Sequence, residues 1–317
     1  MNLREWLDHG EAILNDGPHS DRARRDAETL LLHHIGKNKA WLIAHADENF
    51  AGCSAIGYAA LIERRRKGEP IQYIVGECEF WRMPFRVTPD VLIPRPETEH
   101  LVETVSHLVP VFDRKRKTKG SFGFERVHAA YEKGVRHARE GDPSVAGFPP
   151  RIIDVGTGSG AIAIAIAHEW GHADITAIDI SERALEVARF NANRLGFADN
   201  IRFLQGDLLA PVAGEQFEII VSNPPYVPNA DNALIAVEVR EHEPHVALFG
   251  GEDGFEIYRR LIPAAHAALV PGGFLAFEFG FSQMPQIESL LKHSGFQNIE
   301  FTHDLQGIPR VASAQRP

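Results

Sequence analysis

Apolar positions recur along this chain with two different periods, and the change from one to the other divides it. Leu3, Trp6, Leu7, Ile13 and Leu14 fall on helical spacing. Ala27, Leu30, Leu31 and His34 repeat that spacing after Ser20, a residue of N-cap type. Trp41, Leu42 and Ile43, then Ile56, Tyr58, Leu61 and Ile62, add a third and a fourth helical piece. The last piece closes on Glu63-Arg64-Arg65-Arg66-Lys67, and positive charge is favourable at a helix C-terminus. That basic run is expected to be a solvated helix end. Residues 1–69 therefore predict a small helical domain with no catalytic pattern, of the kind that recognises a partner.

Residues 70–90 change character. Ile71 to Gly76 and Phe80 to Val87 read as strands around a turn, a hairpin that links two domains. Val91-Leu92-Ile93-Pro94-Arg95-Pro96 predicts an extended strap pinned by two prolines, with a helix from about Glu97 to Val109. The strap is either a rigid linker or a cover over a ligand, with Arg95 and Glu97 facing inward, and chemistry alone does not separate these readings. Residues 111–150 are a basic insertion that opens on Arg114-Lys115-Arg116-Lys117. Few of its residues are apolar enough to repay ordering, so a surface excursion is expected, with a clamp for an acidic partner as the functional alternative.

From Arg151 the pattern is regular. Strands at 152–155, 175–178, 201–204 and 217–221 alternate with helices at 161–170 and 181–195. A helix at 255–269, the turn Pro271-Gly272-Gly273, a strand at 274–279 and a helix from Met284 to His293 follow. Two short strands, 299–302 and 310–313, complete the chain. The alternation predicts an α/β fold with a doubly wound, mostly parallel sheet of seven strands and an antiparallel strand at one edge. The second domain is thus expected over 91–317.

Bulk properties narrow the function. A chain of 317 residues suits one large domain and a small one. The net charge of −10 argues against a dedicated duplex-DNA binder. Cys53 and Cys78 form neither a ligand pattern nor a framework, which suits a reducing compartment. The start, Met1 to His9, is too charged for a signal peptide, and no apolar run approaches a membrane span. A cytoplasmic protein without a membrane partner is expected.

Two strand ends carry chemistry. Asp154-Val155-Gly156-Thr157-Gly158-Ser159-Gly160 is a glycine turn between a strand and a helix, built for close approach of a ligand to a helix N-terminus. Alone it fits a nicotinamide enzyme or an S-adenosylmethionine enzyme. Asp179 ends the second strand, where a carboxylate can take two ribose hydroxyls in either case. Asp207, after the third strand, stands where a carboxylate and its backbone can meet an adenine edge. Phe217 to Ser222 is an apolar strand that stops at Asn223-Pro224-Pro225-Tyr226. An acceptor side chain beside a free carbonyl can hold both hydrogens of a planar NH2 group, and Tyr226 supplies a flat face. Hydride transfer has no evident use for that tetrad, which favours S-adenosylmethionine.

These motifs resemble class I S-adenosylmethionine-dependent methyltransferases. With Phe85-x-Val87-x-Pro89, Val91 to Glu99, Glu243-Pro244-x-x-Ala247-Leu248, Asp253-Gly254 and Gly272-Gly273, the chain is similar to the HemK/PrmC family over nearly its whole length. Its members methylate the side-chain N5 of the glutamine in the Gly-Gly-Gln motif of peptide chain release factors. The resemblance implies that Gly156, Thr157, Gly158, Ser159, Gly160 and Asp179 bind S-adenosylmethionine and release S-adenosylhomocysteine, with Leu208 touching adenine. It implies that Asn223 contacts both cofactor and substrate, and that Pro224, Pro225 and Tyr226 contact the glutamine. Release factors are the implied partner, with no stable nucleic acid and a monomeric state. The alternative is an adenine-N6 DNA or RNA methyltransferase, whose flipped base offers the same NH2 group. Glu241-His242-Glu243-Pro244-His245 looks like a metal cluster, but Pro244 interrupts the helical spacing a zinc site would use, so a surface loop and no metal are expected.

Overall fold

The computed structural model describes residues 1–49, 55–115 and 149–317. Most of the basic insertion lies outside the described residues. No helix among them is long and apolar enough to cross a membrane.

The helical module packs α1 (Leu3–Leu14), α2 (Ala23–Ile35), α3 (Lys39–Ala44) and α4 (Ala55–Arg66) around Leu3, Leu7, Leu30, Leu31, Tyr58 and Ile62. Asn2 starts α1 through a reciprocal cap: its Oδ1 accepts from the Glu5 N–H at 2.8 Å, and the Glu5 carboxylate accepts from the Asn2 N–H at 3.0 Å. Ser20 is not the cap of α2; it opens a short 3-10 turn, Ser20–Arg22, that leads into the helix. The basic run at the end of α4 splits. Arg64 and Arg66 are exposed and paired with Glu69 and Glu63, whereas Arg65 is only 1% exposed and bonds Asp26. The expectation of a wholly solvated helix end is therefore wrong for Arg65.

Residues 71–76 are also corrected. Ile71–Val75 is a one-turn helix, α5, not a strand. Pro70 precedes it and Gly76, at φ +81°, stops it; Ile74 packs into the core of the helical module and Tyr73 against Val87, Val91 and Ile93. The hairpin is shorter, β1 (Glu77–Phe80) against β2 (Met83–Arg86), closed by Trp81 and Arg82, both at positive φ.

The seven-stranded sheet runs β5-β4-β3-β6-β7-β9-β8, with β3 (Arg151–Val155), β4 (Asp174–Asp179), β5 (Ile201–Gln205), β6 (Phe217–Ser222) and β7 (Leu269–Glu278) parallel. The reversed strand is β9 (Pro309–Gln315), which lies one place in from the edge; β8 (Gln297–His303) closes that edge. Pro271-Gly272-Gly273 does not turn into β7 but belongs to it. The register passes from Phe217 opposite Leu269 to Ile219 opposite Phe274, so the extra residues bulge within the strand.

One face of the sheet is covered by α6 (Glu99–Lys115) and α7 (Ala161–Glu169) through Leu101, Val102, Val105 and Ile164. The other is covered by α10 (Glu256–Ala268) and α11 (Met284–His293) through Tyr258, Leu261, Ile262 and Ile287. Two faces must be buried, which is why β3 and β6 read as nearly continuous apolar runs. Strand order reverses at β3, with β4 on one side and β6 on the other. The carboxyl ends of these strands open the crevice where such sheets bind ligands.

Candidate active site

A cleft opens at that point. Gly156, Gly158, Asp179, Leu208, Asn223 and Pro224 line it, with Arg95 of the strap on its rim. Thr157, Ser159, Asp207 and Pro225 also reach it, whereas Gly160 and Tyr226 do not line it. A Cβ on Gly160 would come within 3.3 Å of Ala188 in α8 (Glu182–Leu195), so this glycine serves close helix packing.

The glycine turn is held by its own strand and by the next. Gly156 and Thr157 donate their N–H groups to the Ile178 carbonyl at 2.8 and 2.9 Å. Thr157 Oγ1 donates to Asp154 Oδ2 at 2.6 Å beneath the turn. Burial pushes the Asp154 carboxyl up to about 7, with the Thr157 bond opposing that rise. Asp179 accepts from the Gly158 N–H at 2.8 Å on one oxygen and from the Ser181 N–H at 2.9 Å on the other. Burial raises its pKa and these bonds pull it back. A carboxylate has about four acceptor sites, so Asp179 retains lone pairs toward the cleft. The Asp207 carboxylate pairs with Arg260 on α10, and Asp207 and Leu208, the latter at φ +49°, both line the cleft.

The tetrad is braced from behind. Asn223 Nδ2 donates to Thr98 Oγ1 at 3.1 Å and to Glu278 Oε2 at 3.0 Å. Thr98 Oγ1 donates to the same Glu278 oxygen at 2.7 Å, and Tyr226 Oη approaches Glu278 Oε1 at 3.4 Å. Thr98 and Glu278 are buried. Desolvation raises the Glu278 pKa, and the bonds from Thr98 and Tyr226 oppose it. Glu278 escaped the sequence reading, although a lone carboxylate in Phe274-Leu275-Ala276-Phe277-Glu278-Phe279 is the signal of a buried polar group that needs partners.

The strap is settled in part. Arg95 lines the cleft and bonds Glu243 at 2.5 Å, while Glu97 is exposed and does not line it. Glu243 is 3% exposed and also accepts from the Ile93 N–H at 3.2 Å. The segment around Glu243 is thus no plain surface loop; its carboxylate pins the strap. Among the described residues no group of His, Cys, Asp and Glu is placed to hold a metal.

The loop after the tetrad runs against 248–254, with the Val227 N–H on the Leu248 carbonyl and the Gly250 N–H on the Val227 carbonyl, both at 2.9 Å. A Cβ at Gly250 would stand 2.6 Å from the Pro225 carbonyl oxygen and 2.8 Å from that of Gly254. Backbone cannot yield as a flexible side chain can, so Gly250→Ala is expected to displace Pro225. Misplacement of this kind costs turnover about 10²-fold. Steady-state kinetics with a parallel cofactor titration checks this: kcat should fall while cofactor affinity holds.

The donor set fits an S-adenosylmethionine-sized ligand. Gly156 and Gly158, at φ +77° and +56°, have only open space where a Cβ would project, a cradle that any side chain would fill. Asp179 offers free acceptor sites at one end of that cradle, and Asn223 stands at the other.

Comparison with known proteins agrees. A family model described as "Methyltransferase domain" matches residues 150–249, and one described as "PrmC N-terminal domain" matches residues 5–76. The release factor glutamine methyltransferase of Koribacter versatilis is 36% identical over 322 residues, covering 100% of this chain and 99% of that one. The protein of the same name from Bradyrhizobium diazoefficiens is 39% identical, covering 93% and 89%. Among solved structures, the hMettl16 catalytic domain bound to a MAT2A 3′UTR hairpin aligns with a TM-score of 0.52 at 12% identity, covering 82% of this chain and 79% of that one; this likeness concerns the fold alone. Sheet order, glycine cradle and tetrad at the switch point define an S-adenosylmethionine-dependent methyltransferase. Within that class the chain belongs to the release factor glutamine methyltransferase family.

Proposed function

We propose that the cleft transfers a methyl group from S-adenosylmethionine to the side-chain amide nitrogen of the glutamine in a release factor's Gly-Gly-Gln motif. The observation that carries this reading is the orientation of Asn223. Its NH2 group is engaged by Thr98 and Glu278, so its oxygen is the end left to accept from a substrate. Gly156, Thr157, Gly158 and Ser159 cradle the cofactor, Asp179 takes its ribose hydroxyls, and Leu208 with the Asp207 backbone meets the adenine. Gly160 supports the cradle from behind. When bound, the sulfonium supplies an electrophilic methyl.

The rest belongs to the chain's own residues. The Asn223 oxygen and the Pro224 carbonyl fix the two amide hydrogens, which favours a more tetrahedral nitrogen with an available lone pair. Pro225 and Tyr226 shape the wall behind the glutamine. Positioning and electrostatics carry the acceleration. The nitrogen becomes cationic on attack and then loses a proton readily, so no strong base is needed.

The helical module, residues 1–69, is the part that recognises the folded release factor, because it holds neither glycine turn nor strand-end carboxylate. The chain acts as a monomer in the cytoplasm, where translation termination takes place. Incubation with labelled S-adenosylmethionine and a purified release factor, followed by mass mapping, tests the reading. Label on the Gly-Gly-Gln glutamine supports it, and label elsewhere or on adenine overturns it. The same assay on a short Gly-Gly-Gln peptide should show a much higher KM than on the whole factor; equal values would remove the module from recognition.

Asp179→Ala separates cofactor binding from chemistry. Each lost hydrogen bond to a charged acceptor is worth about 1.5–3 kcal/mol. Cofactor Kd is expected to rise about 10²-fold, and calorimetric titration reads it; an unchanged Kd would move the ribose site elsewhere.

A further inference from the structure

We propose that Glu278 is a positioning residue for the methyl transfer: it fixes which end of the Asn223 amide faces the substrate. This rests on the proposed function and deepens it. A carboxylate is an acceptor only, so an amide that meets it must do so with its NH2 group. Glu278 Oε2 lies 3.0 Å from Asn223 Nδ2 and 2.7 Å from Thr98 Oγ1. Thr98 gives its hydroxyl proton to Glu278 and therefore presents only lone pairs to Asn223, 3.1 Å away. Both neighbours thus demand a donor, and the amide cannot turn over without losing two bonds in a buried place. The Asn223 oxygen is held outward in consequence.

Without that constraint the amide could rotate by 180° about its last bond and present NH2 to the NH2 of the glutamine, donor against donor. The three groups come from distant parts of the chain: Thr98 follows the strap, Asn223 directly follows β6 and Glu278 ends β7. Glu278 is itself anchored, since Tyr226 Oη approaches its other oxygen at 3.4 Å and Tyr258 Oη donates to its backbone carbonyl at 3.0 Å. The accepting Glu278 oxygen also polarises the Asn223 amide through the shared hydrogen bond, which makes the outward oxygen a better acceptor as the substrate nitrogen turns positive.

The test uses full-length protein and two readouts. In the first, Glu278→Gln, which keeps a carbonyl oxygen for Thr98 and Asn223, is compared with Glu278→Leu, which offers none. Turnover on the release factor should fall about tenfold in the first and about 10²- to 10³-fold in the second, with cofactor Kd unchanged in both. In an Asn223→Ala background, Glu278→Gln should cost no further turnover, because Glu278 acts through Asn223. A full additional loss in that background, or equal losses in Gln and Leu variants, would overturn the proposal.

The second readout needs no substrate. In protein labelled with 15N at asparagine side chains, the Asn223 NH2 pair, identified by its loss in Asn223→Ala, should be protected from exchange in wild type. It should be exposed to exchange in Glu278→Leu, and in Thr98→Val should lose part of its protection. An unprotected Asn223 amide in wild type would overturn the proposal even if methylation proceeds. A protected amide in a protein that methylates no glutamine would leave the positioning intact and refute only the substrate assignment.

Discussion

Asn223→Ala is expected to lower kcat for the release factor by about 10²- to 10³-fold, the cost of removing one preorganised group from a developing charge. The reasoning starts from the number of acceptors. The substrate amide has two hydrogens, and the Asn223 oxygen and the Pro224 carbonyl can each take one. With a single acceptor the nitrogen stays planar and conjugated, a poor nucleophile. The fold should survive, since the lost side chain is only partly buried and Glu278 keeps its bonds from Thr98 and Tyr226. Cofactor affinity should change by no more than about threefold, because the cradle and Asp179 remain in place. Quench-flow single turnovers with pre-bound cofactor measure the chemical step directly. A variant whose single-turnover rate stays near wild type would remove Asn223 from the reaction.

That site was legible in the sequence for a physical reason. An apolar, β-branched run ended by two prolines reads as a strand end, and a strand end in this topology is a ligand edge. The glycine turn and Asp179 were legible in the same way, since backbone conformation demanded glycine at Gly156 and Gly158. Glu278 was not, because strands are read by apolar content, and one carboxylate in β7 does not alter the pattern that predicts the strand. Only the spatial meeting of β6, β7 and the segment after the strap gives it partners. Residues 71–75 misled for a related reason: five residues rich in Ile and Val fit a strand or one helical turn equally, and the flanking Pro70 and Gly76 decided the matter. The direction of β9 was evident from the short connection, but its place inside the edge depended on which neighbour it paired with.

Arg65 was hidden because helical periodicity sorts residues by face and a run of four basic residues covers every face. It lies among acids instead. Its Nε donates to Asp26 Oδ2 at 2.6 Å, and its Nη1 to Glu238 Oε2 at 2.9 Å and to the Glu69 carbonyl at 2.9 Å. Glu238 belongs to α9 (Val237–His242), downstream of the tetrad, and Arg22 reaches it too at 3.1 Å. These bonds fasten the helical module to the catalytic domain. Arg65→Met would leave Asp26, only 5% exposed, as an unpaired buried charge, and breaking such a pair costs about 3–5 kcal/mol. Urea unfolding should show a loss of that order, and adding Asp26→Leu should restore much of it, since a wholly apolar replacement removes the stranded charge. The pH dependence has a defined sign. Burial alone would raise the Glu238 pKa, but the bonds from Arg65 and Arg22 outweigh it and the carboxyl sits below its ordinary value. Its contribution is therefore full above the unfolded value of about 4.3 and is lost as pH falls through the depressed folded value. In Arg65→Met that acid-side loss should shrink. A variant as stable as wild type at neutral pH, with the same acid transition, would show that the network does not hold the two domains together.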